Sequence, residues 1–173
     1  LYQAKLPANL SHYRDVFLVG CYTALRFGDF SRLKADHIDN DFKFINIIAT
    51  KGNNKLKIPI RPELKNILSK KGYLDHPQVN LTVMNRKLKE IGKLAGIDSI
   101  YEEQQTINRK KVIRTVHKYE KIKTHTARRT AATNMYLAGM PILDIMAITG
   151  HKTEKSFRKY IKAEQFERAN ELV

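Results

Sequence analysis

Behind Ser11, whose hydroxyl can cap a helix, the apolar residues Val16, Phe17, Val19 and Cys21 run toward Leu25. This pattern predicts a first helix over about 11–24, and the segment from Gly28 to Lys34 a short second one. Phe42, Phe44, Ile45, Ile47 and Ile48 then supply β-formers, while Leu56, Ile58 and Ile60 alternate strictly with Lys55, Lys57 and Pro59. These runs read as a hairpin joined by Thr50-Lys51-Gly52-Asn53-Asn54, a turn rich in residues that accept positive φ. Pro62 opens a helix to about Lys70, and Leu81, Met84, Leu88, Ile91, Leu94 and Ala95 recur at helical spacing up to Gly96. Between 99 and 123 the residues Thr106, Val112, Ile113, Thr115, Val116 and Tyr119 favour strand, but interleaved lysines and arginines make the segment a solvated basic ribbon. The remainder reads as helices over about 126–138, from Pro141 to about Thr149, near 153–160, and from about 162 to the end. The expected fold is mainly α with small antiparallel β-hairpins, an α+β chain without repeats.

A length of 173 residues, 42% of them hydrophobic, suits one domain with a real core over residues 1–173. Charge changes the picture more. The formal net charge is +15, a field that attracts polyanions, nucleic acid first and an anionic membrane surface second. It is concentrated in two blocks: residues 51–71 hold Lys51, Lys55, Lys57, Arg61, Lys65, Lys70 and Lys71 against Glu63. Residues 109–129 hold Arg109, Lys110, Lys111, Arg114, Lys118, Lys121, Lys123, Arg128 and Arg129 against Glu120. One cysteine, Cys21, excludes an internal disulfide and fits a reducing compartment. With no long apolar stretch and no signal-peptide pattern, the expectation is a cytoplasmic protein that does not enter a membrane, and the start LYQAKLPANL suggests a fragment.

Several chemistries find no support. Neither GxxxxGK[ST] nor GxGxxG occurs, which leaves nucleotide loops without a basis. Scattered histidines without HExxH or CxxC serve zinc poorly, and Asp36, Asp39 and Asp41 sit together in what reads as a turn. Neither metal nor cofactor is expected. What remains suits phosphate chemistry. Arg26 in TALRFGD either pairs an acid such as Asp29 or offers its fork to a phosphate. His125 and Arg128 in HTARRT lie three apart at a helix start, where both can face one anion. Gly150-His151 ends a helix, and Tyr160 follows in SFRKYIK.

In that order, Arg26, Lys51 on a β-turn, His125-x-x-Arg128, Gly150-His151 and Tyr160 resemble the catalytic domain of the tyrosine recombinases, the phage integrase family, over residues 10–172. TALRFGD is similar to the first arginine box, commonly T-G-L-R-x-x-E, and TKGNNKLKIPI to the lysine hairpin. HTARRT resembles the H-x-L-R-H box, and ITGH with Tyr160 the L-G-H box and its nucleophile. Asp29 replaces the usual glutamate, Ala127 a leucine, Arg129 the frequent histidine and Thr149 the leucine of LGH. These changes leave the reactive side chains in place and alter the packing around them. Arg129 and the long basic segment before it look like integrases of conjugative or mobilisable elements.

The resemblance implies site-specific DNA breaking and rejoining through a 3′-phosphotyrosyl link. Tyr160 would be the nucleophile, Arg26 and Arg128 the clamp on the non-bridging oxygens, and Lys51 the general acid. His125 would carry the Tyr160 proton, and His151 would hydrogen-bond a non-bridging oxygen. Lys55, Lys57, Arg109, Lys110, Lys111, Arg114, Lys121, Lys123 and Arg129 are the expected DNA contacts. The implied partners are double-stranded DNA and three further copies in a tetramer, with the tail carrying Phe166, Ala169, Leu172 and Val173 packed on a neighbour. It also implies that N-terminal DNA-binding domains are absent here. Two other readings stay open: relaxation by a type IB topoisomerase, and a nucleic-acid-binding module in which Tyr160 is incidental.

Overall fold

A computed structural model describes residues 1–107 and 109–161. The first helix, α1, spans Ala8–Thr23 and starts at Pro7, whose fixed φ suits helix entry. Ser11 therefore lies inside the helix, and its hydroxyl donates to the Pro7 carbonyl at 3.4 Å; the expected cap is displaced by a proline. Val16, Phe17, Leu18 and Val19 are all buried, because α1 runs through the middle of the molecule against α3, α4 and α5. The predicted second helix is only Phe27–Phe30 (α2), followed by a 3₁₀ turn at Ala35–His37. Its position is set by tertiary packing: a Cβ on Gly20 would stand 2.6 Å from Phe30 Cε1, so only glycine lets α1 meet that ring.

Strands β1 (Phe44–Ile48) and β2 (Lys55–Pro59) pair antiparallel, with Ile45 opposite Ile58 and Ile47 opposite Leu56. Phe42 lies outside the strand, at φ 56°, in a turn where Asp39 accepts from the Lys43 and Phe44 amides. Helices α3 (Pro62–Leu68) and α4 (Leu81–Leu94) complete the main core, and Asn80 caps α4 by accepting from the Thr82 and Val83 amides. The basic ribbon is a regular hairpin of β3 (Ile100–Ile107) and β4 (Lys110–His117). Both strands are solvated almost throughout; Val116 at the base is buried, and a Lys121–Glu103 ion pair steadies the stem.

Helix α5 (Thr124–Leu137) begins two residues before the expected position, and the flanking Lys123 amide donates to Thr126 Oγ1. Its inner face carries Ala127, Ala131 and Ala132, small residues that allow α1 to approach closely. Helices α6 (Ile142–Thr149) and α7 (Glu154–Ile161) form a second, smaller core on α5 with Ala132, Ile145, Met146, Phe157 and Ile161. The helix expected from about 162, with Phe166, Ala169, Leu172 and Val173, lies outside the described residues. No helix among the described residues is long and apolar enough to cross a membrane.

Candidate active site

The site forms where the two cores meet. Helix α1 ends at Ala24, which takes a left-handed conformation with φ 56°. A glycine adopts this conformation without penalty, which gives a physical reason for the glycine usual in this box; here an alanine accepts the strain. The turn brings Arg26 to the start of α2 and aims the Ala24 carbonyl across the site. Arg128 on α5, only 4% exposed, donates to that carbonyl at 2.6 Å. At the end of α6, Gly150 closes the helix with φ 64°, and a Cβ on it would stand 4.0 Å from Arg26 Nη2. The tight turn thus delivers His151 beside both guanidinium groups.

Helix α7 brings up Tyr160. Thr153 accepts from the Ser156 amide at the helix start, and Phe157 and Ile161, four apart, are buried in the smaller core. Tyr160 lies between these anchors. Its ring is 4.7 Å from that of His151 and 5.2 Å from that of His125, centroid to centroid. Its hydroxyl is buried and meets no partner at full hydrogen-bond geometry; the Arg128 guanidinium comes close enough to favour the phenolate by charge and by a loose hydrogen bond. A buried, unpaired hydroxyl costs about 1–3 kcal/mol, which a fold tolerates where the group has another task.

Electrostatics follow from this crowding of cations. Burial, and then Arg128 and Arg26, hold the His151 pKa below its ordinary value. His125 is open to solvent on one side, yet partial burial followed by Arg128, Arg129 and Arg26 lowers its pKa too. Burial and Arg26 lower that of Arg128. Burial raises that of Tyr160, opposed by Arg128, Arg129 and Arg26, so the free phenol keeps its proton at neutral pH. No acid forms an ion pair with Arg26 or Arg128 among the described residues. Two guanidinium groups and two imidazoles gathered with no carboxylate in ion-pair contact, Asp29 acting on Arg128 only through space, make a site for an anion.

The acid expected to compete for Arg26 is engaged elsewhere. Asp29, 1% exposed, accepts from the Thr50 amide at 2.8 Å, the Thr50 hydroxyl at 2.7 Å and Arg32 Nη2 at 3.3 Å. It therefore ties the β1–β2 turn to α2, directly beside Lys51. Lys51 itself is exposed on that turn and makes no hydrogen bond or ion pair with the other five candidate residues.

The expected DNA contacts lie on three surfaces. Lys55 and Lys57 are exposed on β2, with the Lys57 ammonium 4.2 Å above the Phe44 ring. Arg109, at φ 61°, turns the second hairpin, and Lys110, Lys111 and Arg114 are exposed along β4. Lys123 starts α5, whereas Lys121 is held by Glu103. Arg129 and Lys121 line a cavity of about 840 Å³ along α5, beside Phe17, Leu18, Met135 and Ile161. None of the six candidate residues lines that cavity. Among the described residues no three His, Cys, Asp or Glu side chains are placed to hold a metal ion.

The sequence profile described as the phage integrase family matches residues 5–167. No curated protein sequence matches the chain significantly. Among solved structures, it resembles lambda integrase (75–356), a dimer bound to a COC′ core site, with a TM-score of 0.61 and 16% identity over 87% of this chain and 52% of that one. It also resembles the XerH site-specific recombinase bound to a palindromic difH substrate in a post-cleavage complex, with a TM-score of 0.66 and 16% identity over 96% and 47%. The Tn1549 transposon integrase in complex with circular intermediate DNA gives 0.54 and 16% over 89% and 54%. The likeness to these structures is one of fold, and the chain spans about half the length of each.

Proposed function

The chain belongs to the phage integrase family, and on that premise we propose that it is the catalytic domain of a site-specific DNA recombinase that breaks and rejoins strands through a 3′-phosphotyrosyl intermediate. The observation that carries the proposal is the buried Tyr160 hydroxyl, without a partner at full hydrogen-bond geometry, set against the cluster of Arg26, Arg128, His125 and His151. A buried phenol beside cations that no acid pairs directly suits a nucleophile waiting for a phosphodiester.

The chemistry then divides among the residues. Arg26 and Arg128 bracket the non-bridging oxygens and stabilise the charge that builds in the pentacoordinate transition state. The Tyr160 oxygen forms a bond to phosphorus as the bond to the 5′-oxygen breaks; the phenolic proton passes to His125, and Lys51 protonates the departing 5′-oxygen. His151 hydrogen-bonds a non-bridging oxygen. Attack by a 5′-hydroxyl from a second duplex reverses the step and restores Tyr160, so the bond energy is conserved in the covalent link.

Lys55, Lys57, Arg109, Lys110, Lys111, Arg114, Lys123, Arg129 and, when released from Glu103, Lys121 supply attraction to the DNA backbone. The same reading places four copies on two duplexes, with the segment after Ile161 packed on a neighbour, and places the work in the bacterial cytoplasm.

A pool of nicked duplexes of randomised sequence tests the proposal. The unmodified chain is expected to form an adduct that survives denaturation, and Tyr160→Phe to form none while keeping or raising its melting temperature and keeping its affinity for duplex. Adduct formation by Tyr160→Phe overturns the assignment of the nucleophile. Binding of duplex with no adduct from either protein points instead to a non-enzymatic binding module.

A further inference from the structure

The residue before Gly150 is a threonine where the resembling box has leucine, and its hydroxyl is doubly engaged. Thr149 Oγ1 lies 2.7 Å from the Ile145 carbonyl one turn back in α6 and 2.7 Å from His151 Nδ1. A carbonyl oxygen only accepts, so the one hydroxyl proton goes to Ile145. Oγ1 then faces His151 with a lone pair, and Nδ1 must carry a hydrogen to make that short contact. Thr149 is itself 1% exposed, which leaves no water to offer an alternative arrangement.

We propose that Thr149 is a positioning residue that presents His151 to the scissile phosphate through Nε2 alone, as a lone pair in the neutral ring and as a donor only in the imidazolium. The inference rests on the recombinase reading for its catalytic half, while the tautomer itself is a property of the free protein. A neutral His151 would turn its Nε2 lone pair toward a phosphate oxygen, which repels it. The hydrogen bond assigned to His151 therefore requires a proton on Nε2, and that proton adds without disturbing the bond from Nδ1–H to Thr149.

The groups facing the ring set when this happens. Arg26 at the start of α2, Arg128 and His125 on α5, and partial burial all oppose the imidazolium in the empty site. Tyr160 and the Phe157 ring edge, from α7, add no charge there. An anionic phosphate between the guanidinium groups reverses the balance, so His151 takes up a proton as DNA docks. Thr149 thereby couples the hydrogen bond to occupancy of the site: the donor exists only once the substrate's charge is present.

Two measurements test the inference. Two-bond ¹H–¹⁵N spectra of the free, full chain above pH 7 distinguish the tautomers, and His151 is expected with Nδ1 protonated and Nε2 bare. Thr149→Ser, which keeps the hydroxyl, should preserve this pattern, and Thr149→Val, which keeps only the shape, should admit the Nε2–H form. The second measurement is the pH profile of single-turnover cleavage on a duplex recovered from the randomised pool. For the unmodified chain and Thr149→Ser the rate should fall about tenfold per pH unit above the His151 pKa of the complex. For Thr149→Val this alkaline limb should flatten, because a neutral Nε2–H donor becomes accessible. An Nε2–H tautomer in the unmodified chain overturns the proposal, as does a Thr149→Val profile that superimposes on the parent's. If the pool yields no adduct, the recombinase reading has failed, and the spectra still decide the tautomer.

Discussion

Arg26 and Arg128 are paired in the proposed chemistry, but the fold holds them differently. The Arg128 guanidinium is buried and donates to the Ala24 carbonyl. The Arg26 side chain is half-buried and makes no hydrogen bond or ion pair among the described residues. Removing Arg128 leaves a buried carbonyl unpaired at the strained end of α1, a loss of about 1–3 kcal/mol that outweighs the relief of its repulsion with Arg26. Removing Arg26 forfeits no hydrogen bond or ion pair and relieves the same repulsion. Arg26→Ala is therefore expected to fold with unchanged or slightly higher stability, and Arg128→Ala with lower stability, by denaturant unfolding. Both should slow cleavage by about 10²-fold or more, since each meets charge that develops only in the transition state. Equal losses of stability would mean that the Ala24 contact carries no weight. The rule that emerges is that a positive site can be built with one cation anchored in the fold and one left free for the ligand.

At the level of elements, the β1–β2 hairpin is coupled to α2 by Asp29, which accepts from the Thr50 amide and hydroxyl next to Lys51. Asp29→Ala strands those donors and frees the turn, so a loss of about 1–3 kcal/mol is expected together with slow cleavage. If Asp29 acts through Lys51, the deficit belongs to the leaving group. A substrate with sulfur for the bridging 5′-oxygen leaves without a proton, and should restore Asp29→Ala and Lys51→Ala alike while Arg26→Ala stays slow. No rescue of Asp29→Ala by sulfur would leave Asp29 a purely structural residue. The hairpin itself was legible in the sequence because one face is buried: Ile45, Ile47 and Ile58 alternate with exposed neighbours. The β3–β4 ribbon was blurred because both its faces are solvated, so burial imposes no period of two. The start of α1 and the extent of α2 were set by Pro7 and by the Gly20–Phe30 contact, and neither leaves a periodic trace. The same division runs through the site. Arg26, His125, Arg128, His151 and Tyr160 stand in short motifs, whereas the bonds Asp29 to Thr50 and Thr149 to His151 join side chains that the sequence offers only as changes in packing.

Taken as a whole, the molecule carries its positive field on the two hairpins and on the face of α5, and it gathers unprotonated histidines under that field. Burial holds His125 and His151 below their ordinary pKa, with Arg128 as the next cause for each, and burial followed by His76 does the same to His12 on α1, against the pull of Asp15. In the unfolded chain these rings titrate near about 6.5. Between that value and their lower folded values the unfolded state binds more protons, so folding stability rises with pH across this window. The contribution is complete above about 6.5 and is lost as pH falls through the folded values. Asp39 and Glu103 have lowered folded pKa values as well, Asp39 chiefly through the Phe44 amide and Glu103 through Lys121, but their share is lost only at lower pH, where carboxylates titrate. Melting curves at fixed ionic strength should therefore show a first loss of stability as pH falls below about 6.5, ahead of the carboxylate step. Replacing His12, His125 and His151 together by glutamine should flatten that first loss and leave the second. A parent curve flat across this range would refute the lowered values. Bound DNA should invert the trend at His151, because an anion between Arg26 and Arg128 favours its imidazolium, while His125 stays neutral to receive the Tyr160 proton. The rise in melting temperature on adding duplex is thus expected to grow as pH falls from about 7.5 to 6, and to lose most of that growth in His151→Gln. A duplex-induced shift that is independent of pH would place the bound phosphate away from His151 and on the hairpins alone.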